Sequence, residues 1–101
     1  MHEVKRIEII ASSFELGKIL EALDQTGVSG YAVTRNVAGK GLSGNTEDLD
    51  FTMLDNVYII VFCKPELLQT LVTNIHPLLN KFGGTCYVTD AQEIRSVQCV
   101  S

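Results

Sequence analysis

The stretch VKRIEIIASSFELGKILEALDQTG, Val4–Gly27, changes its period half-way along. Val4–Ala11 is rich in β-branched residues and reads as a strand. Beyond it, Leu16, Ile19, Leu20 and Leu23 fall at i, i+3, i+4 and i+7, the apolar stripe of an amphipathic helix. Between the two, Ser12 and Glu15 have capping-box spacing: the hydroxyl can take a free helical amide and the carboxylate can reach back. Gly27 stands just past the stripe, where a left-handed C-cap favours glycine. The pattern therefore predicts a strand followed by a helix over about 13–26.

The same order recurs downstream. In SGYAVTRNV, Ser29–Val37, the residues Tyr31, Val33, Arg35 and Val37 alternate with Ala32 and Thr34, which predicts strand two. NVYIIVFCK, Asn56–Lys64, predicts strand three, and its nearly continuous apolar character implies cover on both faces. The chain has too few elements to supply the second cover, so a partner subunit is expected. Pro65 suits a first helical position, and Leu68, Leu71, Val72, Ile75 and Leu79 form the second stripe. Pro77 removes a donor and crowds Thr73, which predicts a kink or a break into a short terminal turn. Phe82–Gly84 ends that helix and TCYVTDAQEIRSV, Thr85–Val97, supplies strand four. The fold class is α+β: a ferredoxin-like βαββαβ arrangement with a four-stranded antiparallel sheet, two helices on one face and a long loop between strands 2 and 3. The 101 residues form a single domain, 1–101.

Composition narrows the function. With 46% apolar and 20% charged residues the chain is an ordinary globular one. A net charge of −4 argues against a nucleic-acid module, but a local cationic cluster can still hold a small anion. Cys63, Cys86 and Cys99 have no C-x-x-C spacing, so neither a disulfide framework nor a zinc site follows. Cys63 and Cys86 read as small core residues and Cys99 as a tail thiol or a redox switch. His2 and His76 are isolated, and no metal site is expected. The N-terminus has no apolar h-region and the apolar run Val57–Cys63 is too short to span a membrane, so a cytoplasmic protein without membrane insertion is expected. No nucleophile–base pair is recognisable and AGKG lacks the flanks of a Walker sequence, so no enzyme is expected.

The loop between strands two and three is long for so small a domain, and loops beyond about 12–15 residues are usually functional or disordered. It carries Glu47, Asp48, Asp50 and Asp55 against Lys40 at its edge, together with Phe51, Met53 and Leu54. Two readings stand: an interaction arm that orders on binding, with Leu42, Glu47, Asp48, Asp50 and Phe51 as contacts, or a tolerated insertion. Gly39-Lys40-Gly41 can aim successive amides at an anion and add a point charge, or can act as a hinge. Gly83-Gly84 can form a second such nest, or a helix C-cap and turn.

The ordered set of these features resembles a known family. SFELGKILEALDQTGVSGYAVTRNVAGKG, Ser13–Gly41, is similar to the first half of the PII signalling proteins, and CYVTDAQEIRSV, Cys86–Val97, resembles their last strand. GYAV and GKG look closer to the PII-like branch tied to bicarbonate handling than to the nitrogen-sensing branch. The resemblance implies a homotrimer that binds an adenine nucleotide (AMP, ADP, ATP or cyclic AMP) in clefts between subunits. It implies a loop, 40–55, that docks on a transporter, enzyme or other regulator in nitrogen or inorganic-carbon metabolism. Such proteins signal rather than catalyse, with slow nucleotide hydrolysis as a side activity of some members. Carried onto this chain, the nucleotide site comprises Gly39, Lys40, Gly41, Gly83, Gly84, Thr85 and Arg95, with Mg as a bridge to phosphate. Arg95 reads equally as a strand residue paired with Glu93 or with a neighbouring chain.

The chain departs from the family pattern in four places. Ala32 replaces a hydroxyl-bearing residue, Thr85 replaces a basic one, Arg95 stands where paired arginines are usual, and LSGN follows GKG in place of arginines. Each lost charge-assisted contact forfeits about 1.5–3 kcal/mol, which weighs against a triphosphate and leaves a mono- or diphosphate, or no nucleotide. The loop has no tyrosine between Gly41 and Asn56, so uridylylation there is not expected. The alternative is a ferredoxin-like trimer of another class, a metal-tolerance or amino-acid-binding regulatory domain.

Overall fold

Two antiparallel ladders on one strand organise the chain. The computed structural model describes residues 1–37 and 56–95, so the expected sites at Gly39, Lys40, Gly41, Leu42, Glu47, Asp48, Asp50 and Phe51 lie outside the described residues. Strand β1 (His2–Ser12) passes through a 3-10 turn, Ser13–Glu15, into helix α1 (Leu16–Thr26). Strands β2 (Tyr31–Val37) and β3 (Asn56–Cys63) follow. A 3-10 turn at Pro65–Leu67 then opens helix α2 (Leu68–Phe82), and β4 (Thr85–Glu93) closes the sheet. The spatial order is β2-β3-β1-β4 and every pairing is antiparallel. This is the expected ferredoxin-like topology.

Alternation along the strands sorts the side chains. Ile7, Ile9 and Ala11 of β1 face the helices beside their partners Val61, Ile59 and Val57 of β3. With Leu16, Ile19 and Leu23 of α1 and Leu71 and Ile75 of α2 they form one buried cluster. The helices are also tied through a polar contact: Asn74 Nδ2 donates to Thr26 Oγ1 at 2.9 Å, and Thr26 Oγ1 donates to the Ala22 carbonyl at 2.8 Å. The other sheet face carries Tyr58, Ile60 and Phe62 opposite Ile10, Glu8 and Arg6, and no helix covers it among the described residues. Strand three is thus buried on one side by its own chain and half-open on the other.

The local signals hold with adjustments. Ser12 Oγ accepts from the Phe14 N–H at 3.3 Å, but the first turn it caps is 3-10, and the α-helix begins only at Leu16. The enclosed Glu15 Oε2 has no hydrogen-bond partner and lies 3.9 Å from Lys18 Nζ. Helix α2 runs through Pro77 to Phe82, so the expected break into a terminal turn does not occur. Thr73 and Pro77 lie on the exposed side of the helix, where water can take the carbonyl that proline leaves unpaired. At the end of β2, Asn36 adopts φ 60° within a register shift between Arg35 and Val37. It is a β-bulge at a residue type that tolerates the left-handed region.

The α2–β4 connection consists of Gly83 and Gly84, both at positive φ. A Cβ at Gly84 would meet the Ile10 carbonyl oxygen at 2.8 Å, with φ already at +112°. Gly84→Ala is expected to lower the unfolding free energy by about 2–4 kcal/mol. Gly27→Ala has open space around the added Cβ and only φ +89° against it, and should cost about 1–2 kcal/mol. Urea unfolding of both variants checks this, and equal costs would refute the tight contact at Gly84.

Candidate functional site

The ladders gather some of the sequence-derived site residues and separate others. Val37 and Ser12 both pair with Asn56, and Ile10 pairs with Thr85. The end of β2, the starts of β3 and β4 and the end of β1 therefore share one end of the sheet. Gly83, Gly84 and Thr85 lie there, beside the points where residues 38–55 leave and return. Glu93 pairs with His2 at the other end, and Arg95 follows it. Eight strand steps from Thr85 to Glu93 span about 27 Å. Within one chain Arg95 cannot reach an anion held at Gly83–Thr85.

Each residue has local commitments. The Gly83 N–H donates to the Leu79 carbonyl at 2.8 Å, so it serves as the helix C-cap and the glycine pair does not offer two converging amides. Arg95 Nε donates to Glu93 Oε1, as one of the two sequence readings had it. Thr85 is half-buried at the start of β4.

The far end holds features that the sequence reading did not assemble. Ser29, Gly30, Tyr31 and Ala32, from the α1–β2 turn and the start of β2, meet Ile60, Phe62 and Glu93 around a hollow of about 270 Å³. Its floor is apolar and aromatic, and Glu93 brings a carboxylate already bonded to Arg95. Of these residues only Ala32 had been singled out. The others become neighbours through the β2–β3 register, which the GYAV motif alone does not reveal.

Titration behaviour follows from packing. Burial pushes the Cys63 and Cys86 thiols up. Desolvation and the neighbouring Glu8 carboxylate raise the Tyr58 hydroxyl. The hydrogen bond and charge of Asp90 raise the Lys5 ammonium. Among the described residues no group of three or more His, Cys, Asp or Glu side chains could hold a metal ion, and no helix is long and apolar enough to cross a membrane.

Residues 4–98 match the family model of the nitrogen regulatory protein P-II. The chain belongs to the P-II family. Among solved structures, this P-II chain is similar to CPII, a nitrogen regulatory PII-like protein from Thiomonas intermedia K12. In its complex with ADP, AMP and bicarbonate, CPII is 27% identical with a TM-score of 0.79, over 95% of this chain and 98% of that one. In its complex with ADP and bicarbonate the values are 28% and 0.81, over 93% and 91%. A PII-like signalling protein from Thermus thermophilus, 18% identical with a TM-score of 0.73 over 92% and 91% of the chains, shares the fold. No curated protein matches the sequence. The expectation of a PII-like protein therefore holds, and the metal-tolerance and amino-acid-binding readings of the same fold give way to it.

The raised thiols give this P-II domain an alkaline limit. The folded state holds these protons more tightly than the unfolded one, so the stabilisation is complete below the unfolded thiol pKa of about 8.5 and fades as pH climbs through the folded values. Tyr58 and Lys5 act in the same direction at higher pH. The urea midpoint should be level between about pH 6.5 and 8 and fall above about 8.5. Cys63→Ala and Cys86→Ala should each flatten the first part of that fall relative to their own neutral-pH midpoints.

Proposed function

We propose that this P-II protein is a non-catalytic regulatory homotrimer. It binds an adenine nucleotide between subunits and passes the bound state to a target protein through residues 40–55. The observation that carries the reading is the whole-length likeness to CPII, whose structures hold ADP, AMP and bicarbonate. The geometry supports an inter-subunit site. Arg95 and the Gly83–Thr85 turn sit at opposite ends of one strand, so a ligand using both must lie where the far end of one subunit meets the loop end of another. The half-open sheet face, with Tyr58, Ile60 and Phe62 on β3 and an exposed Tyr87 on β4, is the surface on which such subunits would close.

Within the cleft the residues divide the work. The hollow bounded by Tyr31, Ala32, Ile60 and Phe62 suits a flat apolar base, since aromatic faces and aliphatic walls bury a ring without demanding hydrogen bonds. Arg95 supplies a planar guanidinium for phosphate once it releases Glu93, with Lys40, Gly39 and Gly41 at the root of the 40–55 segment. The few cations favour AMP or ADP over ATP. Leu42, Glu47, Asp48, Asp50 and Phe51 are the proposed contacts to the target, in nitrogen or inorganic-carbon metabolism, inside the cytoplasm.

Isothermal titration with AMP, ADP, ATP and cyclic AMP, with and without magnesium and bicarbonate, tests the reading. Saturable binding of AMP or ADP is expected, with no gain for ATP. Arg95→Ala should weaken it about tenfold or more. Light scattering should give three times the chain mass, and Ile60→Lys on the open face should yield monomers that no longer bind nucleotide. Absence of heat and of any thermal shift with all four nucleotides would sink the proposal.

A further inference from the structure

The end of the molecule that carries the Gly83–Gly84 turn also carries a cationic cluster that neither the sequence reading nor the family likeness assigns. Helix α1 begins there and helix α2 ends there. Lys18 Nζ lies 4.2 Å from the centroid of the Phe82 ring, and Lys81 Nζ lies 5.2 Å from the same centroid. The two ammonium groups are thus gathered on one ring, immediately before the glycine pair. Like charges brought together in an acidic protein call for an anion. The one carboxylate at hand, Glu15, approaches Lys18 only to 3.9 Å, and among the described residues Lys81 has no ion-pair partner. The ring can hold both side chains in place through cation–π attraction while leaving ammonium protons free to donate.

We propose that Lys18 and Lys81, assembled on Phe82 beside the Gly83–Gly84 turn, seat the terminal phosphate of a bound nucleoside diphosphate. The assignment rests on the nucleotide reading above and deepens it. It answers the charge deficit left by Thr85 and the lone Arg95, because the cations precede the glycine turn instead of following it. It also accounts for a glycine pair whose first amide is spent on Leu79: the side chains before the turn, rather than the backbone of the turn, carry the positive charge. A diphosphate gains more from this seat than a monophosphate, since its second phosphate is the group that reaches it.

The test is isothermal titration of the full chain with ADP and AMP at about 50 mM and about 300 mM salt. The proteins compared are the wild type, Lys18→Gln, Lys81→Gln, the double variant and Lys81→Arg, with Lys64→Gln at the far end as control. Thermal unfolding of each reports whether the lysines serve only to stabilise the helix ends. Expected is a loss of ADP affinity of about ten- to hundredfold in the double variant, a smaller loss for AMP, retention in Lys81→Arg and a shallower salt dependence. Unchanged ADP affinity in the folded double variant, beside a wild type that binds, overturns this assignment and leaves the nucleotide reading standing. A wild type that binds neither ADP nor AMP overturns the nucleotide reading, and the assignment with it.

Discussion

Strand β1 is hydrogen-bonded along both edges, and its two registers decide where everything else lies. Pairing Ile9 with Ile59 on one side and with Cys86 on the other fixes which residues of β3 and β4 look toward the helices. It also fixes which strand ends coincide. The antiparallel order brings the root of the 38–55 segment and the α2–β4 turn together, and sends Arg95 to the opposite end. A slip of one residue on either ladder would turn Ile7 and Ile9 out of the core and scatter the site at the same time. Fold and function are therefore secured by the same hydrogen bonds.

The core depends on the helices that this register receives. Leu16, Ile19 and Leu23 of α1 and Leu71 and Ile75 of α2 seal one face, and losing any one of the fully buried side chains to alanine would cost about 2–5 kcal/mol. The opposite face is different in kind. Arg6 Nε donates to Thr89 Oγ1 at 3.1 Å and lies 3.0 Å from Glu8 Oε1, so a polar ladder crosses an otherwise apolar and aromatic surface. A surface of that sort can meet copies of itself while constraining the register in which they meet.

Much of this was legible because it depends on spacing. The stripe from Leu16 to Leu23, the alternation from Tyr31 to Val37 and the Gly27 cap each report local periodicity, and the structure places them as expected. Pro77 misled because proline's penalty depends on where the freed carbonyl points, and on an exposed helix face water removes most of it. Arg95 and Gly83–Gly84 were grouped through family likeness, but sequence proximity hides the length of the strand between them. The convergence of Lys18 and Lys81 on Phe82 was out of reach, because it requires knowing that α1 starts where α2 finishes. The hollow of Tyr31, Phe62 and Glu93 was hidden for the same reason.

The bulge at Asn36 has a consequence for handedness at the sheet edge. Before it, odd-numbered residues of β2 point to the helices: Val33 stands opposite Ile59 and Arg35 opposite Val57. After it, Val37 stands opposite Asn56, which belongs to the alternate set of β3. One left-handed asparagine thus inverts the parity of the strand, and the chain is delivered past Val37 in phase with the half-open face. Removing that single residue would keep the composition of the edge almost unchanged and yet hand the following segment to the wrong side of the sheet.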